Sequence, residues 1–316
     1  MSGETHAGPF FSIIIPTYQR AHLIRTAVES VQAQRFTDWE LIIIDDGSSD
    51  GTADVLKPLL TDPRIEYHWQ PNAGRSAARN KGIDKATGRY VCFLDSDDLW
   101  LPHHLSTLHS SCIEHPQPAM HHTRLIWRFP DGDREAPYNL PDAFASTVEY
   151  VLGNELAPDV MCIEITALGT SRFDEALTVN EDLHLWARVA TRFPIHPCHE
   201  HSAVLNIHGQ NTKDTIPNHI DIQKQVFDVL MSIPEVRKGI SQAFARGRYL
   251  TFHEWKIRTL EASGKRGLLI LFIFYFLLRY PLQPRNAAKL VMLLYALPGG
   301  SILKSLVGAM KGNGAR

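Results

Sequence analysis

The densest chemistry in the sequence is Asp95-Ser96-Asp97-Asp98, delivered by the apolar run Tyr90-Val-Cys-Phe-Leu94. Three carboxylates on one turn raise one another's pKa unless a cation or hydrogen-bond donors offset them. A bound divalent ion is the economical explanation. Oxygen ligands suit Mg²⁺ or Mn²⁺, which would also bridge the phosphates of a nucleotide. The alternative is a cap on the helix that starts near Pro102, for which one Asp or Ser would suffice.

Asp45-Asp46-Gly47-Ser48 likewise follows an apolar run, residues 41–44. Its carboxylates can accept hydrogen bonds from a ribose or a base N–H; in isolation the same four residues make a turn. Gly74-Arg75-Ser76-Ala77-Ala78-Arg79-Asn80 opens a helix with small residues and two arginines one turn apart. A helix N-terminus with arginine nearby suits a diphosphate. Close helix–sheet packing with arginines in surface pairs explains it equally well. Farther on, Asn180-Glu181-Asp182 starts a helix in which Leu183, Trp186, Ala187 and Ala190 form an apolar stripe, and one acid there is explained by capping alone. His196-Pro-Cys198-His199-Glu-His201 matches no common structural zinc spacing and reads as histidines alternating along a strand.

These groups need elements to hold them. Residues 11–15 are strand-like, and Leu23, Ile24, Ala27, Val28 and Val31 recur at helical spacing. Strands follow at 41–44, 65–69 and 90–94, with a helix over 74–86 between the last two. Alternating strands and helices predict an α/β fold, a mainly parallel sheet with helices on both faces. In such sheets ligands bind beyond the carboxyl ends of the strands. The polar clusters at 16–18, 45–50, 72–75 and 95–98 all fall there, so one pocket can collect them. After about Pro116 the pattern is less regular, with a strand near 121–129, a helix over 181–193 and a strand ending near His208.

The chain of 316 residues, 44% hydrophobic and 21% charged, reads as a folded protein without internal repeats. Four scattered cysteines and the lack of a basic-then-apolar N-terminus argue for a reducing cytoplasm. The net charge of -2 conceals an asymmetry: residues 237–316 hold 14 Lys and Arg against only Glu254 and Glu261. The apolar stretches 268–278 and 290–297 are shorter than the roughly 20 residues a spanning helix needs. Flanked by Lys265, Arg266, Arg279, Arg285 and Lys289, they predict a helical extension that lies on an anionic membrane surface or packs on protein. Long aliphatic runs suit lipid better than stacked bases, so no nucleic-acid partner is expected.

Taken in order, Ile13-Ile-Ile-Pro16-Thr17-Tyr18, Asp45-Asp46-Gly47-Ser48-Ser49-Asp50-Gly51-Thr52, Asn72-Ala-Gly74 with Ala78-Arg79-Asn80, and Asp95-Ser96-Asp97-Asp98 closely resemble the family 2 glycosyltransferases of GT-A fold, over roughly residues 10–210. The resemblance implies a GT-A, Rossmann-like catalytic domain at 10–215, with a nucleotide-sugar half (10–100) and an acceptor half (101–215), followed by a helical region (216–316). It implies an inverting, metal-dependent, hexosyltransferase-like enzyme using Mn²⁺ or Mg²⁺ and a nucleotide-sugar donor, UDP foremost. The acceptor would be a sugar, glycan or lipid-linked molecule of cell-surface polysaccharide or glycolipid assembly, and the site peripheral at the inner face of the membrane. By the same resemblance Pro16, Thr17, Tyr18 and Asp45 or Asp46 hold the nucleoside, Asn72 takes part in donor binding, and Arg79 meets the diphosphate. Asp95 with Ser96 meets the ribose, Asp97 the metal, and Asp98 assists the metal or orients the sugar. Glu181-Asp182 resembles the family's Glu-Asp pair, with Asp182 as general base, and His208 in Leu205-Asn-Ile-His208-Gly-Gln-Asn completes the metal site.

A nicotinamide dehydrogenase is excluded because Pro16-Thr-Tyr-Gln-Arg20, and no Gly-x-Gly-x-x-Gly turn, follows the first strand. A processive synthase would need spanning helices and a Gln-x-x-Arg-Trp motif. A non-catalytic nucleotide-sugar-binding or scaffold protein is the remaining alternative, against which the intact acids Asp97, Glu181 and Asp182 stand.

Overall fold

The computed structural model describes residues 7–208, 216 and 218–262. Nine strands form one sheet: β1 (Phe11–Thr17), β2 (Trp39–Asp45), β3 (Ile65–Trp69), β4 (Tyr90–Phe93), β5 (Leu99–Trp100), β6 (Met120–Phe129), β7 (Gly132–Glu135), β8 (Met161–Glu164) and β9 (Ile195–Asn206). Their order is β3-β2-β1-β4-β8-β6-β9-β5, with β7 paired to β6. β1 lies parallel to β2 and β4, and β2 to β3. The two central strands read as continuous β-branched runs because they are buried along nearly their whole length.

Helices connect them: α1 (Ile24–Gln32), α2 (Thr52–Leu56), α3 (Arg75–Lys85), α4 (His104–Glu114), α5 (Thr147–Asn154), α6 (Ile165–Leu168), α7 (Glu181–Ala190), α8 (His219–Ser232), α9 (Pro234–Lys238) and α10 (Gln242–Ala262). Helix α1 buries Ile24, Ala27, Val28 and Val31, the stripe its spacing predicts. Helix α3 packs on β1 closely enough that a Cβ at Gly82 would lie 2.4 Å from Ile14 Cγ2.

The second half departs from the parallel plan. β8 runs antiparallel to β4 and β6, β5 runs antiparallel to β9, and only β6 with β9 is parallel. β8 is four residues long, too short for periodicity to reveal, and it splices this part onto β4. Helix α7 is fixed over the junction by rings: Trp186 and Phe173 lie 5.6 and 5.3 Å from Phe93 on β4, and the Trp186 indole donates to the Leu156 carbonyl at 3.1 Å.

The chain divides into two compact units, with the boundary between Ser241 and Gln242. Helices α8 and α9 therefore belong to the first unit with the sheet, and α10 opens the second. Among the described residues no helix is long and apolar enough to cross a membrane. The apolar stretches 268–278 and 290–297, and the basic residues around them, lie outside the described residues.

Candidate active site

Parallel register brings the carboxyl ends of the first strands level: Thr17 is opposite Asp45, and Asp45 opposite Trp69. The loops leaving those ends meet at a cleft of about 570 Å³ in the first unit. Its walls include Pro16, Thr17, Tyr18, Asp46, Asn72, Arg79 and all four residues Asp95, Ser96, Asp97 and Asp98, together with Glu181 and Asp182. The sequence clusters thus converge on one surface.

The two acids after β2 have separate tasks. Asp45 is buried and does not line the cleft; its carboxylate accepts from the Ser48 amide at 2.8 Å and the Tyr67 hydroxyl at 2.7 Å. That is the turn reading of the motif. Asp46 faces the cleft and holds the loop before α3, accepting from Gln70 Nε2 and from the Ala73 and Gly74 amides at 2.7–2.9 Å. Three of a carboxylate's roughly four acceptor positions are thereby used. Gly47 turns between them at φ +89°, where a Cβ would sit 2.8 Å from the Asn72 amide nitrogen.

The turn after β4 is clamped along its length. The Asp95 amide donates to Asp159 Oδ1 at 2.8 Å, the Asn206 amide donates to Asp98 Oδ1 at 2.7 Å, and Asn206 Nδ2 donates to the Asp97 carbonyl at 2.5 Å. Asp98 therefore points inward, whereas Asp97 lies 3.2 Å from His208 Nε2 and 3.8 Å from Arg20 Nε. Carboxylate oxygens of Asp95, Asp98 and Asp159 lie within 4.8 Å of one another. Burial, reinforced by the neighbouring carboxylates, pushes Asp98 and Asp159 well above the usual carboxylate range. This concentration of hard oxygen donors, with an imidazole facing Asp97, fits a divalent cation.

Arg79 occupies an unexpected position. It is 1% exposed and spans two carboxylates, donating from Nη2 to Asp95 at 2.6 Å and from Nη1 to Glu181 at 2.8 Å. Burial opposes its charge, but Asp95 and Glu181 outweigh burial and hold the guanidinium protonated. Its Nη groups thus tie the turn after β4 to the start of α7, while its Nε has no hydrogen-bond partner among the described residues. Arg75, on the exposed side of the same helix end and 3.6 Å from Glu181, stands closer to solvent.

Asn180 precedes α7 in the left-handed region at φ +55°, which sets Glu181 and Asp182 in the first helical turn. Burial and then the charge of Glu181 raise the Asp182 carboxyl to about 7, with Arg79 pulling the other way. A carboxyl poised there exchanges protons near neutrality. Sequence reasoning missed several lining residues: Trp127, Pro158, Leu205, Ile207, His219 and Gln223. None sits in a polar cluster, and the carboxylate of Asp159 was hidden in a Pro-Asp pair that reads as a turn.

Comparison with known proteins agrees with this geometry. Residues 12–126 match the model of Glycosyl transferase family 2. A GalNAc(5)-diNAcBac-PP-undecaprenol beta-1,3-glucosyltransferase of Campylobacter jejuni is 44% identical over 103 residues, 32% of this chain and 33% of that protein. Among solved structures, the mannosyltransferase PcManGT of Pyrobaculum calidifontis, in complex with GDP-Man and Mn²⁺, superposes with a TM-score of 0.64 at 15% identity, over 96% of this chain and 80% of that one. S. aureus TarS in complex with UDP-GlcNAc gives 0.61 at 18% identity, over 92% and 82%. At such identities the shared property is the fold, GT-A. Matches to two further curated glycosyltransferases span 30% and 39% of those proteins' lengths. Residues 12–126 of the chain thus resemble glycosyl transferase family 2.

Proposed function

We propose that the chain transfers a sugar from a nucleotide-sugar donor, a UDP-sugar foremost, to an acceptor hydroxyl with inversion at the anomeric carbon. The observation that carries this reading is Asp182: a carboxyl raised to about 7 that shares one cleft with the Asp95–Asp98 turn.

Asp182 accepts the proton of the acceptor hydroxyl as its oxygen forms a bond to the anomeric carbon. The bond from that carbon to the diphosphate oxygen breaks, and the nucleoside diphosphate leaves with the electron pair. One displacement inverts the centre and needs no second carboxylate as nucleophile. Arg79 keeps Asp95 and Glu181 in place while this happens, and Arg20 and Arg75 set positive charge at the cleft beside the departing phosphates. Asp97 and His208 would hold a divalent cation, Mn²⁺ or Mg²⁺, whose charge would neutralise the leaving group. Asp46 and Tyr18 are assigned to the nucleoside, and Asp95 and Ser96 to the ribose.

Support for UDP comes from the TarS complex with UDP-GlcNAc, and support for a metal from the PcManGT complex with Mn²⁺. The Campylobacter relative acts, by its name, on an undecaprenol-linked glycan. We assign the acceptor here to the same class, a lipid-linked glycan met at a membrane surface. The basic region 237–316 is proposed to make that contact.

Calorimetric titration with UDP, GDP and dTDP, each with and without Mn²⁺, tests the donor site. UDP is expected to bind only with the metal, and Asp97→Asn to weaken that binding by roughly the 10–100-fold seen when metal sites lose a supporting group. Absence of binding by all three nucleotides would sink the reading.

A further inference from the structure

The turn that bears Asp95, Ser96, Asp97 and Asp98 is fastened from behind by a carboxylate that belongs to none of the sequence clusters. Asp159 lies in the single 3₁₀ turn Pro158–Val160 that leads into β8, and it is 1% exposed. Its Oδ1 accepts from the Asp95 amide at 2.8 Å, and its backbone carbonyl accepts from the Trp100 indole N–H at 2.8 Å. One residue therefore grips both ends of segment 95–100. Its second oxygen, Oδ2, is buried without a hydrogen-bond partner among the described residues, and the Asp95 and Asp98 carboxylates are close by.

A buried amide needs an acceptor, and a buried carboxylate among carboxylates is an expensive way to supply one. An asparagine would offer the same Oδ1 and turn its amide donors toward the crowd of oxygens. We propose that Asp159 is a positioning residue, which fixes the Asp95–Asp98 turn by accepting from the Asp95 amide and so sets the direction in which Asp97 faces the donor. The functional half of this inference rests on the donor-site reading above; the structural half stands on the hydrogen bonds alone.

Two measurements on the full chain separate this role from that of a cation ligand. The first is amide-resolved hydrogen exchange at Asp95 in wild type, Asp159→Asn and Asp159→Ala. The second is titration of each with UDP in the presence of Mn²⁺. The Asp95 amide is expected to stay protected in wild type and Asp159→Asn and to exchange at least about tenfold faster in Asp159→Ala, the loss expected for one buried hydrogen bond. UDP affinity with Mn²⁺ should fall by about tenfold in Asp159→Ala and stay within about twofold of wild type in Asp159→Asn.

Unchanged Asp95 protection in Asp159→Ala overturns the positioning role. A loss of Mn²⁺-dependent affinity in Asp159→Asn equal to that in Asp159→Ala also overturns it, and makes Asp159 a metal ligand. If Asp159→Ala does not fold, the metal titration of Asp159→Asn decides alone. If wild type binds no UDP with Mn²⁺, the donor-site reading fails, and hydrogen exchange still judges the positioning role.

Discussion

Residues 11–100 and residues 101–208 contribute to one cleft by opposite strategies. In the first stretch the site groups sit on consecutive loops at the level ends of parallel strands, and backbone amides from an adjoining loop hold the Asp46 carboxylate. In the second stretch the lining residues come from the far end of β6, the turn before β8, the start of α7 and the end of β9. Side chains and rings fix them across long sequence separations. The first arrangement rests on strand register, the second on separate elements joined by long-range contacts.

That contrast can be broken first at its most demanding point. Asp182→Asn should lower transfer by about 10³-fold, in the range of a lost general base, while UDP binding with Mn²⁺ stays at the wild-type value. Transfer at the wild-type rate would move the base elsewhere in the second stretch. Next in size, Arg79→Met leaves the buried Glu181 and the partly exposed Asp95 without their shared cation. A loss of about 3 kcal/mol or more is expected, read as a lower urea midpoint. A midpoint equal to wild type would mean that the two stretches are not coupled through this pair.

Trp127→Ala sharpens the contrast from the other side. With an aromatic wall removed from the cleft, the acceptor KM should rise by about tenfold, a change on the order of 1.4 kcal/mol, and UDP affinity should not move. Equal losses for donor and acceptor would show that the stretches do not divide the substrates. The smallest effect concerns stability. The Asp182 carboxyl is raised in the folded state from 3.8 to about 7, so its neutral form is favoured there. The stability this confers is complete below about pH 4 and is lost as the pH climbs through 7. Asp182→Asn carries no such penalty and should melt above wild type at pH 8, with the difference shrinking as the pH falls toward 4. A variant that loses activity yet gains stability would mark the carboxyl as strained for function.

Much of the first stretch was legible because local pattern and local structure coincide there. The strands at 11–17 and 39–45 are buried, largely β-branched runs, and each ends where its polar cluster begins. Helix α7 was legible too, because its apolar stripe packs on β4 through Trp186. The difference between Asp45 and Asp46 was not, since adjacent acids on a turn look alike until the fold sets which one lines the cleft. Arg79 reads in sequence as a cation for a diphosphate; its partners lie 16 and 102 residues away. Asp159 is 64 residues from the amide it serves, and no periodicity records a contact of that kind.

The Arg79 bridge has a consequence for recombination. An engineer who grafts the second stretch of a relative onto residues 11–100 of this chain transplants one end of a buried ion pair. The graft will assemble when the incoming helix brings an acid to the position of Glu181, because Arg79 then finds the partner it needs beside Asp95. A segment with a neutral residue there leaves Arg79 with Asp95 alone to offset its buried charge. The identity of one side chain at the head of α7 thus sets which second stretches residues 11–100 can be joined to.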